Sequence, residues 1–358
     1  MIQIVGAVEA AAQLPEYRAA SLSVASSLAI QDFGPIGAFM GYDFHITPRG
    51  PQLIEINTNA GGAFLNAVLA QAQHTCCAPS IDDTGGGTAA SFGTKIAGMF
   101  VEEWQRQRGP GRPARIAIVD DEPERQHLYP EFQLAKALLE KHGIEAVICD
   151  AAQLTFKGGK FTLTGLPIDL VYNRLVDFSL GEPRHAALRA AYAGEAVVVT
   201  PNPHVHALLA DKRNLALLSD GELMKDWGLP SNHRSTLEKG LPKTEIVSEQ
   251  NADDLWRNRN QLFFKPARGH GSKAAYRGDK VTRKVWAQIT AGDYVAQNFA
   301  PPSQRDVATD EGRTEMKVDV RLYTYAGALL LAAARLYRGQ TTNMRTPGGG
   351  FAPVLVVR

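Results

Sequence analysis

Three side chains near the N-terminus have the types and spacing of a hard-cation site. Asp43 follows Gly41 in the run Phe39 to Ile46, and Glu55 and Asn57 stand in Leu53-Ile54-Glu55-Ile56-Asn57. The turn Pro48-Arg49-Gly50-Pro51 separates these two apolar-rich runs, so they read as an antiparallel hairpin. Residues i and i+2 of a strand face one side, so Glu55 and Asn57 point together and Asp43 can meet them across the hairpin. Two carboxylates and an amide oxygen suit Mg²⁺, which in nucleotide enzymes also takes phosphate oxygens and waters. The alternative is an edge hairpin with a solvated polar face. Against it, Ile54 and Ile56 are expected to fill the core side and leave three oxygen ligands converging on the other.

A second run, Phe263-Phe264-Lys265-Pro266-Ala267-Arg268-Gly269-His270-Gly271-Ser272-Lys273, pairs a strand lysine with a glycine-rich turn. Lys265 is a point charge for phosphates, and Gly269 and Gly271 let backbone N–H groups approach them closely. Two other features carry no such chemistry. The glycines before Thr94-Lys95 are not a P-loop, because the lysine follows threonine and no strand leads in. Arg115 to Pro123 opens like a receiver domain, but the best-placed later strand ends in Asn173, which cannot form an acyl phosphate.

Taken together, these runs resemble the ATP-grasp superfamily, especially prokaryotic glutathione synthetase. The hairpin is similar to that family's metal-binding motif, with Asp43, Glu55 and Asn57 as ligands. Asn202-Pro203 followed by Asp211 to Asp220 resembles the segment with the first ATP-binding lysine, here Lys212, and Lys265 matches the second. The resemblance adds Gly269, Gly271 and Ser272 to the phosphate loop, and Gln297, Asn298 and Phe299 to a hinge strand whose backbone reads the adenine. It puts Asp319 near the ribose, Arg321 and Arg335 as a clamp on the transferred phosphoryl group, and Arg174, Asn59 and Asn343 near the substrate. Arginine suits such a clamp because its fork donates bidentately to phosphate and keeps its charge. In ordinary members the metal hairpin comes near the C-terminus; here it comes first, the order of circularly permuted members similar to glutathionylspermidine synthetase.

What the resemblance implies is a carboxylate–amine ligase that uses ATP and two Mg²⁺ ions and passes through an acyl phosphate. A small-molecule kinase and a silent nucleotide-binding module are the alternatives; an intact metal triad argues against the last. Small carboxylate and amine substrates are the expected partners, and homo-oligomerisation stays open.

The elements that must position these residues follow from periodicity. Helices are expected over residues 8–30 with a break at Pro15, 63–73, 95–108, 131–142 and 184–192. Strands are expected at 116–119, 145–149, 169–172 and 196–200, then 262–265, 294–297, 318–325 and 328–336. The expected fold class is therefore α/β (α+β), and the resemblance implies an ATP-grasp fold in permuted order with a small Rossmann-like domain. The expected divisions are 1–78 (metal-binding part of the large lobe), 79–111 (linker and helix), 112–200 (Rossmann-like), 201–293 (small lobe) and 294–358 (rest of the large lobe). At 358 residues more than one packed unit is expected, and a formal net charge of +1 argues against nucleic-acid or membrane partners. The longest uncharged apolar stretch, Ala326 to Ala334, is too short to span a bilayer, and Met1-Ile2-Gln3-Ile4 lacks a basic leader region. Three cysteines, with Cys76-Cys77 awkward for a bridge and His74 too isolated to complete a metal site beside them, fit a reducing cytoplasm.

Overall fold

The structure is a computed structural model that describes residues 1–76, 89–269, 274–309, 312–342 and 346–354. Its largest sheet has six antiparallel strands. Gly350–Pro353, Ala328–Tyr337, Gly312–Tyr325, Met40–Thr47 and Gly50–Asn57 lie in that order, and Ser303–Thr309 pairs with the first half of the long strand. The N-terminal hairpin is thus seated directly on Gly312–Tyr325, with Asp43 opposite both Arg321 and Glu55. Alternation sorts the hairpin's two faces. Tyr42, Phe44, Leu53 and Ile56 enter a core shared with Val320, Leu322 and the N-terminal helix Ile2–Ala12. Each such side chain, fully buried, contributes about 1.5–3 kcal/mol. Met1 and Val354 pack against that same core.

One expectation fails within the hairpin. Ile54 does not fill the core side, because the register shifts between Asp43 and Phe44 and leaves Ile54 as a bulge residue. Leu53 takes the core position instead, and Ile54 lines a cavity. A bulge bends and re-aims its strand locally.

A four-stranded antiparallel sheet, ordered Thr244–Ile246, Tyr294–Asn298, Leu262–Pro266, Tyr276–Arg277, carries Lys265. A four-stranded parallel sheet, ordered Glu145–Asp150, Arg115–Asp120, Leu170–Asn173, Val198–Thr200, has the βαβ character read from the sequence. The helix Ala89–Arg108 is no loose connector. Ile96 and Phe100 are fully buried, and Glu103, also fully buried, accepts from the Ile36 and Gly37 amides and from the Tyr325 hydroxyl. Burial raises the Glu103 carboxyl, against the lowering effect of those donors. Among the described residues no helix is long and apolar enough to cross a membrane.

Candidate active site

The charged face of the large sheet follows from register. Residues opposite each other in an antiparallel pair share a face, and Asp319 lies opposite Arg335 as Asp43 does Arg321. Arg321 donates to both Asp43 oxygens at 2.6 and 2.7 Å, and Arg335 bridges Asp43 at 2.8 Å and Asp319 at 2.6 Å. Asn57 Nδ2 and Thr342 Oγ1 also donate, to Asp43 and Asp319 respectively. Burial alone would raise the Asp43 carboxyl; the two guanidiniums outweigh it and hold it well below the usual carboxylate range. Gly41 is required here, since a Cβ would stand 2.5 Å from the Ala60 Cβ and 3.5 Å from Arg321 Nε.

In front of this buried network the two lysines meet the hairpin. Lys265 Nζ donates to the Ile54 carbonyl and to Gln297 Oε1, each at 2.8 Å. Lys212 pairs with Glu55 at 3.1 Å and donates to the Gly269 carbonyl at 3.1 Å. Burial, and the neighbouring Lys212 charge, bring Lys265 down to about 8 despite Glu55. Burial would raise Glu55, but Lys212 and Lys265 together lower it. Residues more than 200 positions apart therefore converge on one cleft.

The main cavity is bounded by five cationic side chains, Lys212, Lys265, Arg277, Lys280 and Lys317, and one carboxylate, Glu55, among the described residues. Phe263 and Phe299 stack at 16° along its wall, with Arg277 4.6 Å over the Phe299 ring. His45 also lines it. Its Nδ1 lies 2.6 Å from the Ala300 carbonyl, which can only accept, so Nδ1 bears the proton and burial keeps the ring neutral. The sequence reading named Phe299 but missed its stacking on Phe263, and it missed His45, Lys317 and Arg277; only the strand alternation around Lys317 could have flagged one of these three.

Several expected residues stand elsewhere. Arg321 and Arg335 line neither cavity and sit behind Glu55, with Asp43 between them. Asp319 is fully buried on Arg335 and Thr342 rather than open to a sugar. Asp43 has both oxygens on guanidiniums, so Glu55 and Asn57 are the oxygen donors of the triad that face open space. The Asn298 and Phe299 amides donate to the Lys243 and Gln261 carbonyls, and the Gln297 side chain is buried holding Lys265 and Thr244, so this strand offers a base edge less than expected. Arg174, 5% exposed, lies over the Tyr172 ring at 5.2 Å and lines no cavity. Asn59 lines a second cavity, which shares Lys212 and Gly269 with the first. Gly271, Ser272, Asn343 and Cys77 lie outside the described residues; Cys149 is buried, with its thiol pushed up to about 12 by that burial.

Neither a protein-family model nor a curated protein sequence matches the chain. Among solved structures, the "Putative gamma-glutamylcysteine synthetase" from Methylobacillus flagellatus KT superposes with a TM-score of 0.53 at 10% identity, over 99% of this chain and 86% of that one. D-cycloserine synthetase DcsG (TM-score 0.35, 20% identity, 66% and 70% of the two chains) and D-alanyl-alanine synthetase A from Vibrio cholerae O1 biovar eltor (0.34, 14%, 63% and 68%) are more distant in shape. With a counterpart in shape over 99% of its length, the chain shares the overall fold of that solved structure, and its lysine-lined cleft lies between a six-stranded and a four-stranded antiparallel sheet.

Proposed function

We propose that the chain is an ATP- and Mg²⁺-dependent carboxylate–amine ligase. The observation that carries this reading is the main cavity, where five cationic side chains against one carboxylate adjoin a stacked aromatic wall. That combination suits a polyphosphate at one end and a flat base at the other. Lys212 and Lys265 neutralise phosphate oxygens, and Gly269 lets the backbone close on them. Glu55 and Asn57 are the residues that would hold magnesium, with two ions as the expected number; bound there, the metal would supply positive charge that neutralises the phosphates. Asp43 fits that role only after releasing a guanidinium. Its part here is to fix Arg321 and Arg335, which act as positioning residues behind the hairpin.

In the reaction a substrate carboxylate oxygen attacks the γ-phosphorus as the bond to the β-phosphate oxygen breaks, giving an acyl phosphate and ADP. The amine nitrogen then attacks the acyl carbon, the C–O bond to phosphate breaks, and the nitrogen loses a proton. The chain's own groups contribute alignment and charge neutralisation, which suffice for a loose phosphoryl transfer. Glutathione synthetase-like specificity, small carboxylate and amine substrates and a cytoplasmic setting are parts of the same proposal. So is the permuted order, supported by the hairpin's seat on Gly312–Tyr325 and by Met1 and Val354 sharing a core.

Two measurements test it. Lys265→Ala is expected to weaken Mg-ADP binding at least about tenfold in calorimetry with the fold intact; unchanged affinity removes Lys265 from the site. Phosphate release from ATP should require both a carboxylate and an amine. Release of a stable phosphorylated product with one substrate alone would make the protein a kinase instead.

A further inference from the structure

The second cavity, of about 160 Å³, has a different chemistry from the first. It begins at Lys212, Gly269 and Asn57, where the phosphate end of the main cavity stops, and runs toward Phe178 and His206. Its walls come from four separated segments that are tied to one another, Gly269 through the Lys212 ammonium. The Thr58 hydroxyl and His206 Nδ1 hydrogen-bond at 3.0 Å, and Asn59 Nδ2 donates to the Leu175 carbonyl at 3.0 Å. Phe178 and His206 stack with centroids 3.9 Å apart and planes at 9°. Such a wall is ordered before any ligand arrives, which favours selective binding.

Charge separates the two cavities. Among the described residues lining the second, Lys212 is the sole formal charge and no carboxylate is present. Lys212's partner Glu55 lies on the side of the main cavity, so a ligand carboxylate meets a cation in the second cavity while a second or third ligand ammonium meets no lining carboxylate. The flat aromatic pair offers its face to a planar group such as an amide or carboxyl.

We infer that this cavity is the specificity pocket for the non-nucleotide substrate, that the Phe178–His206 pair is its recognising wall, and that it admits an amino-acid-sized compound without surplus positive charge. Polyamines are excluded from it. The inference rests on the ligase reading, and the test separates the two. Phosphate release from Mg-ATP is measured with single amino acids and γ-glutamyl dipeptides, alone and in pairs, and with putrescine and spermidine; Mg-ADP binding is titrated in parallel. Amino-acid or dipeptide members are expected to stimulate release and the polyamines are not. Phe178→Ala should then raise the KM of the stimulating compound about tenfold or more, Phe178→Tyr should restore it to within about threefold, and the KM for ATP should stay within about twofold in both. His206→Gln, which keeps a side chain to meet Thr58 but removes the stack, should raise the same KM. Stimulation by spermidine would overturn the inference. So would an unchanged substrate KM in both Phe178→Ala and His206→Gln, or an absence of stimulation by every amino acid and dipeptide while Mg-ADP still binds. Failure of the wild-type protein to bind Mg-ADP would instead bring down the ligase reading, and this inference with it.

Discussion

Lys265 is a half-buried ammonium poised near neutrality, and its titration has a readable sign. Its folded value of about 8 lies below the ordinary lysine value, so the unfolded chain binds more protons between the two and protonated Lys265 opposes folding there. Phosphate needs the protonated form. Mg-ADP affinity is therefore expected to hold below pH 8 and to weaken as pH rises above it, and Lys265→Arg should remove that limb of the titration curve. Asp43 and Glu55 should separate under mutation even though both belong to the same predicted triad. Asp43→Asn strands the buried Arg321 guanidinium and leaves Arg335 on Asp319 alone, and is expected to cost about 3–5 kcal/mol in urea unfolding. Glu55→Gln, on a partly exposed group, should leave stability within about 1 kcal/mol while phosphate release collapses. Residue types and i+2 spacing made the triad legible in the sequence. Partnership was not, because nothing in a run of letters says that Arg321 will lie opposite Asp43 rather than opposite a ligand.

At the scale of elements, the hairpin's strongest device is the bulge at Ile54, which turns a carbonyl toward Lys265 while Glu55 and Asn57 keep their face. Two apolar-rich runs around a Pro/Gly turn predicted the hairpin, and alternation predicted its charged side. It misplaced Ile54 because a period of two assumes an unbroken ladder, and a bulge adds one residue without any composition cue. Of the long strand Gly312–Tyr325 only 318–325 was legible from apolar periodicity, while its polar first part and Ser303–Thr309, a polar edge strand in which only Val307 and Ala308 are apolar, were not. The helix Ala89–Arg108 was read as the end of a linker because its glycine-rich approach dominates the local composition; its buried face is defined by Glu103's distant donors. Packing behind the hairpin is open to measurement. Phe44→Ala, at a fully buried site, is expected to lose about 3–5 kcal/mol by thermal or urea unfolding. Gly41→Ala should also destabilise, by about 1–3 kcal/mol, since its Cβ meets backbone-fixed Ala60 rather than a flexible chain end.

For the whole molecule, the hairpin completes one edge of a sheet built from both ends of the chain. A chain lacking residues 1–62 is expected to be insoluble, because it exposes one edge of Gly312–Tyr325 and the apolar surface of Val320 and Leu322. A soluble, cooperatively folded product from that deletion would mean that the N-terminal segment is an appendage. The seating of the hairpin also imposes an order in time. Asp43 and its partner Arg321 are 278 positions apart. At about 5–20 residues per second of synthesis, the hairpin leaves the ribosome roughly 15–55 seconds before the strand it pairs with. Early in that interval Tyr42, Phe44, Leu53 and Ile56 have only the N-terminal helices to cover them, and core residues between Val205 and Leu241 follow before the partner strand does. Translation speed in the second half of the message, and whatever shields a nascent hairpin, therefore set the yield of this protein before its stability can.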